Sequence, residues 1–392
     1  MHVFEAFPPT RCAALARVDA VRPADYASSR NALDGAVSQL SPYITHGIVS
    51  LPEVLSRVSA KHTLSAQHKF VFELGWRAYF RHVWLHRGSG IMGSLHQGPL
   101  PESDYATDLP EDIRMGCTGV VVVDMAVRTL YNTGYLHNHA RMWLASYVVH
   151  LRKVHWRVAA DWLYGHLLDG DLASNHLSWQ WVAGTGSRKP YLFNADNVAR
   201  YAPASWHSPG SVIDTSYEAL EQLAQQPMQP LPSRHNAPNG ISAHAEPPLA
   251  AKPPIERGLT APHAAAVAGR DVWLVHPWSL GELPDTLPKD VLVVGMFVAD
   301  FHRAWPWNMH RWHFVVSRMA ELCSVCWYGD AAAISAALPG ARRVRTIADP
   351  HLAPWLAHWA ECEPAPALFS PVDTRCDSFS QWWGRGILFP LR

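Results

Sequence analysis

Residues 156–190 read WRVAADWLYGHLLDGDLASNHLSWQWVAGTGSRKP. An apolar helical run over 156–168 ends at two carboxylates, Asp169 and Asp171, with Gly170 between them. Asn175 follows Asp171 by four residues, and Trp179 follows Asn175 by four. That spacing places a carboxylate, an amide and a large aromatic on one helix face. Buried polar groups need partners, so a plain core would not be built this way. The face instead predicts a bound polar heteroaromatic. The simpler alternative is a helix cap followed by core tryptophans, Trp179 and Trp181.

Around this stretch the chain reads as helical from about residue 26 to 203. Ser41 and Pro42 open one helix, with proline tolerated in the first turn. A long aromatic-rich helix over 67–87 stops at Gly88, and another over 123–133 stops at Gly134. Helices are also expected over 137–153 and 217–225. Nine prolines and few large apolar residues mark 227–262 as a linker. Beyond Asp271 the runs DVWLVHP, DVLVVGMFV, CSVCWYG, RRVRTI and PALFSP read as strands, alternating with helices over 312–322, 331–338 and 351–359. Such alternation predicts a parallel α/β sheet. The expected organisation is an all-α domain over 1–226, a linker over 227–268 and a smaller, Rossmann-like α/β domain over 269–392. The linker predicts that the first domain folds by itself.

Formal net charge is zero, which excludes a strong global field toward nucleic acid or membrane. Residues 1–203 carry nineteen Lys and Arg against sixteen Asp and Glu, so any DNA site is a local patch with salt-dependent affinity. Cys323 and Cys326 form a C-x-x-C with no second pair nearby and read as buried thiols, not a metal site. No signal peptide or membrane-length apolar run appears, which predicts a cytoplasmic protein.

Four blocks in order, AVSQLSPYITHGIVS (36–50), FELGWRAYFRHVWLHRG (72–88), VVVDMAVRTLYNTGYLHNHARMWLAS (121–146) and LLDGDLASNHLSWQWVAGTG (167–186), resemble the flavin-binding core of the photolyase/cryptochrome family. The resemblance covers roughly residues 20–203. It implies FAD as cofactor. Ser38, Gln39, Leu40 and Ser41 match the phosphate-binding segment, with Val37 where a threonine is common. Tyr26 matches a flavin-touching tyrosine. Arg141 and Asp169 resemble the buried ion pair beside the ring, Gly170 and Asp171 the turn at its polar edge, and Asn175 the residue facing its reactive nitrogen.

The same resemblance implies a DNA face. Arg30, Glu73, Trp76, Arg77, Asn138, Met142 and Trp181 match the lesion-pocket side in cyclobutane-dimer photolyases, and His139 stands where an arginine often meets DNA. The (6-4) enzymes carry histidines at the positions of Asn138 and Met142. Trp179 and Trp156 match the first two members of an electron-supplying tryptophan chain, and the third position falls on Ile113, leaving Trp143, Trp162 or Tyr164 as substitutes. The family places its α/β domain first, whereas here it follows. The expected function is light-dependent repair of UV-damaged DNA by a photolyase-type lyase, with Glu73, Asn175, Trp179 and Trp156 at the chemistry. A blue-light sensor and a flavin protein with a dark reaction are the rival readings. An antenna pigment is left open.

Overall fold

The computed structural model describes residues 6–227, 243–254, 258–386 and 388. The first half is helical: α1 (Arg11–Asp19), α2 (Pro23–Ser29), α3 (Ser41–Thr45), α4 (Leu51–Ser59), α5 (Lys69–Arg87), α6 (Glu111–Arg114), α7 (Val121–Thr133), α8 (Asn138–Ser146), α9 (Trp156–His166), α10 (Leu172–Ala183), α11 (Ala195–Tyr201) and α12 (Tyr217–Gln225). Local chemistry accounts for the boundaries that matter. The His68 side chain accepts the Phe70 N–H at the start of α5. Asp171 caps α10 by accepting from Ser174 N at 2.8 Å, so it ends the preceding loop as well as facing the site. Gly134 and Gly184 terminate α7 and α10 in the left-handed conformation. The helix expected over 137–153 is shorter: α8 passes at Tyr147 into a π-helical turn, Tyr147–Leu151.

The second half holds one six-stranded sheet in the order β1-β4-β3-β2-β5-β6, with every neighbouring pair parallel. Its strands are β1 (Leu259–Thr260), β2 (Asp271–Val275), β3 (Leu292–Val298), β4 (Val325–Gly329), β5 (Arg343–Ile347) and β6 (Glu361–Glu363). Parallel neighbours need crossovers, supplied by α13 (Ala299–Ala304), α14 (Met309–Leu322), α15 (Ala331–Ala337) and α16 (Ala353–Trp359), and α17 (Phe379–Trp383) follows. The chain enters at the edge strand β1, crosses to β2, steps back through β3 to β4 beside β1, then returns to β5 and β6 on the other side of β2. The β-branched runs at β2 and β3 form strands as read. PALFSP does not: the sixth strand lies earlier, at Glu361–Glu363, and Phe369 makes only an isolated bridge to Leu388. Two prolines flank that segment and deny it ladder donors. Cys323 and Cys326 are buried free thiols.

The two halves share one core. Tyr43, Leu168 and Leu172 belong to the same buried cluster as Trp273, Trp278 and Phe314. His46, fully buried, places its ring nitrogens 2.6 Å from Pro277 O and 3.0 Å from Leu168 O. Gly47 has φ +67° and lies so near Trp278 that a Cβ would sit 2.7 Å from its carbonyl oxygen. Leu280 N donates to His46 O at 2.9 Å, and Asn308 N to Gly165 O at 2.9 Å.

The stretch read as a linker also docks where it is described. Glu246 accepts from Trp162 Nε1 and meets His166 Nε2, both at 3.0 Å, and pairs with Arg114 at 3.2 Å. Residues 228–242 and 255–257 of that linker expectation lie outside the described residues. Among the described residues no helix is long and apolar enough to cross a membrane.

This shared core leads to a prediction opposite to the expectation of a self-sufficient first half. A fragment ending at residue 226 strips Pro277 and Leu280 from His46, Asn308 from Gly165 and Arg311 from Gly170, and exposes apolar surface. It is expected to be insoluble or unfolded, while the whole chain melts in one transition by circular dichroism and by tryptophan fluorescence. A soluble fragment melting near the whole-chain temperature would contradict this.

Candidate functional site

The loop between α9 and α10, residues 167–171, is held on every side. Leu168 N donates to Gly134 O at 2.6 Å. Asp169, whose side chain is 2% exposed, accepts from Arg141 Nη2 at both carboxylate oxygens, 2.9 and 2.8 Å. Arg141 is itself aimed by Nε donating to Leu136 O at 2.7 Å. Burial alone would raise the Asp169 carboxyl, but the charge and hydrogen bonds of Arg141, with the Ser41 hydroxyl and Arg77, bring it below its ordinary value. Asp171 behaves alike: burial pushes it up, and Arg77, His351, Arg81 and the Ser174 amide pull it below its ordinary range. Arg77 also donates to Thr45 Oγ1, and that hydroxyl donates to Asp169 O at 3.1 Å. Gly170 cannot carry a side chain, since a Cβ would lie 2.6 Å from Arg311 Nη1.

Helix α10 packs against α9, α5 and α8 and brings the predicted residues round it. Asn175 Nδ2 donates to Ala160 O at 2.8 Å. Ser174 Oγ and His137 Nε2 are buried and unpartnered. Because His137 Nδ1 accepts from His139 N, Nε2 carries the proton. Buried, unfilled polar atoms around an ion pair are what a bound polar ring satisfies, so the donor set fits a flavin. Gln39 takes φ +51° and accepts from Arg17 Nη1 at 2.8 Å, fixing the irregular segment Ser38, Gln39, Leu40 ahead of Ser41. Tyr26 packs edge-on against Phe70 at 5.5 Å. Trp179 and Trp156 are each 2% exposed. Trp156 Nε1 donates to Ser94 Oγ at 2.9 Å. Its aromatic neighbours are His155 and His176, at 5.7 and 6.3 Å, and Ile113 is fully buried in the same cluster.

Of the residues expected to face DNA, Arg30 pairs with Glu73 at 3.4 Å. Asn138 is exposed and reaches Met142 Sδ at 3.8 Å. Trp181 is 39% exposed and lies 5.7 Å from Tyr191. Trp76 is stacked on Phe379 of α17, centroids 4.1 Å apart at 13°, which puts one of its faces out of reach. His139 is a correction. It is buried, with Nδ1 2.7 Å from Asn31 O and Nε2 3.3 Å from the Tyr191 hydroxyl, so it braces α8 and has no free nitrogen for DNA. Sequence reasoning missed Thr45, Arg81, Arg311, Asp349 and His351. Only Arg81 carried a signal, one turn beyond Arg77 on α5.

Between α5 and the carboxyl ends of β2, β3 and β5 opens a cleft of about 1710 Å³, lined by Arg81, Trp84, Trp278, Phe301, Asp349 and Trp355 among others. It touches the site at Arg77 and Asp171.

Residues 70–229 match the family model described as the FAD binding domain of DNA photolyase. Over those residues the chain is similar to the FAD-binding domain of photolyases. The chain is 38% identical over 168 residues to a deoxyribodipyrimidine photo-lyase of Streptomyces griseus, a match covering 42% of this chain and 36% of the relative. It is 30% identical over 188 residues to a cryptochrome DASH of Idiomarina loihiensis, covering 45% and 42%. It thus spans well under half the length of these curated relatives. A crystal structure of a Synechocystis sp. PCC6803 cryptochrome aligns with 49% of this chain and 43% of its own, at 29% identity and a TM-score of 0.44.

The Asp169–Arg141 pair makes a testable contribution. Asp169→Asn leaves a guanidinium beside a buried amide and is expected to cost about 3 kcal/mol of stability, measured by urea unfolding at pH 7. Since the folded carboxyl sits below its ordinary value, the wild-type contribution is complete above about pH 4. It is lost as pH falls through the folded value. The variant should lack that acid-side decline.

Proposed function

We propose that this chain is a light-dependent flavoprotein that holds FAD against α10 and splits cyclobutane pyrimidine dimers in DNA. The observation that carries the reading is the buried Asp169–Arg141 ion pair on the loop that leads into α10, with Asn175 one turn beyond the capping Asp171. Reduced FAD, when bound, supplies an electron to the lesion on illumination. The chain's own residues orient and discriminate. Asn175 presents a group able to donate or accept at the ring's reactive edge. Asp169 and Arg141 hold a fixed, neutralised pair in a dry site, and Asp171 accepts at the polar edge. Glu73 accepts from a pyrimidine edge, and Trp181 and the free face of Trp76 stack on flipped-out bases. In the same reading the interdomain cleft, at the strand ends where open α/β sheets of Rossmann type take ligands, suits a second, light-collecting chromophore.

A sensing role without repair is the second reading. The stacking of Phe379 on Trp76 favours it, as do the Arg30–Glu73 pair and the inward His139, because each withdraws a group from DNA.

The deciding experiment is repair of a thymine-dimer oligonucleotide under blue light by FAD-loaded, chemically reduced protein. Repair is expected, with affinity falling as salt rises and Trp181→Ala weakening lesion binding by about 1–3 kcal/mol. Stoichiometric FAD with neither binding nor repair of the oligonucleotide would overturn repair in favour of sensing.

A further inference from the structure

The turn after β5 belongs to the sheet, yet its side chains reach the start of α10. His351 Nδ1 lies 2.7 Å from Asp349 Oδ1, which also accepts the His351 backbone N–H at 3.0 Å. Across the ring, Nε2 is 3.4 Å from Leu172 N and 3.9 Å from Asp171 Oδ2. A backbone N–H can only donate, so Nε2 is the lone-pair nitrogen and Nδ1 bears the proton toward Asp349. The ring is clamped flat on Trp278, centroids 4.1 Å apart at 9°, and edge-on to Trp84 at 4.7 Å. Arg81 from α5 pairs with Asp349 and lies 3.8 Å from Asp171. Burial pushes the His351 pKa below its ordinary value, against the pull of Asp349 and Asp171, so the ring stays a neutral acceptor.

The first amide of α10 is one of four that the helix cannot satisfy internally. Asp171 spends its own oxygen on Ser174, and the histidine from the other half of the molecule takes the Leu172 N–H. The cap therefore sets the position of Asp171 and, one turn later, of Asn175. We propose that His351, locked by Asp349, is a positioning residue for the FAD site, acting across the domain boundary through the N-terminus of α10. It rests on the flavin reading above. No contact of His351 with the cofactor is invoked. The effect passes through Asp171 and Leu172.

The test is titration of full-length apoprotein with FAD, followed by quenching of flavin fluorescence and by the vibronic structure of the bound flavin band. His351→Leu keeps the ring's bulk without its acceptor and is expected to weaken FAD binding about tenfold, the effect of one buried hydrogen bond, and to blur the band. His351→Gln, whose amide can donate to Asp349 and accept from Leu172, is expected to bind within about threefold of wild type. A merely structural residue would lower the apoprotein's melting temperature in both variants and leave affinity and spectrum alone.

Equal affinity and spectrum for wild type and His351→Leu would overturn the proposal. So would a glutamine variant as weak as leucine. Should the leucine variant fail to fold, Asp349→Asn carries the test, because loss of that charge loosens the tautomer lock. A roughly threefold weakening is expected, and unchanged binding would overturn the proposal. Wild-type protein that takes up no FAD would instead overturn the flavin reading, and this inference with it.

Discussion

Two buried carboxylates, Asp169 and Asp171, lie two residues apart on one loop, and most of the molecule answers to them. An uncompensated charge in such a place costs several kcal/mol, so cations converge from separate elements. Arg141 comes from α8, Arg77 and Arg81 from α5. Arg311 comes from α14, fully buried, its guanidinium over the Trp307 and Tyr164 rings at 4.0 and 4.9 Å and donating to Gly170 O at 2.5 Å. The α/β half is therefore part of the wall behind the 167–171 loop. That explains why glycine stands at 170, and why a shared core replaces the two separable bodies that a proline-rich segment suggests.

Much of this was legible in the sequence because its signals are local. The four-residue spacing from Asp171 through Asn175 to Trp179 fixes which groups share a face, and glycines at 88 and 134 mark helix ends. Alternating β-branched runs gave four of the parallel strands. The family resemblance supplied the residues around α10, and the domain match covers the same helices.

What was not legible depends on contacts between distant segments. Nothing near His139 announces that Asn31 and Tyr191 occupy its nitrogens, and nothing near Trp76 announces Phe379, some three hundred residues away. The docked stretch around Glu246 reads as low complexity because its partners, Trp162, His166 and Arg114, lie elsewhere. His351 is one of 23 histidines, and only the fold brings it to an α10 amide. PALFSP misled because apolar content was weighed above its flanking prolines.

The domain order gives this arrangement its interest. With the sheet following the helical domain, the carboxyl ends of its strands open on a cleft that reaches Arg77 of α5 and Asp171 of the 167–171 loop. The most direct measurement is amide hydrogen exchange across residues 167–176, in the full-length apoprotein and after addition of FAD. The account predicts slow exchange at Leu168 and Leu172 in both states, because Gly134 O and His351 hold those amides, with further protection of the loop and first turn of α10 on adding FAD. Fast exchange at both amides, unchanged by FAD, would contradict it.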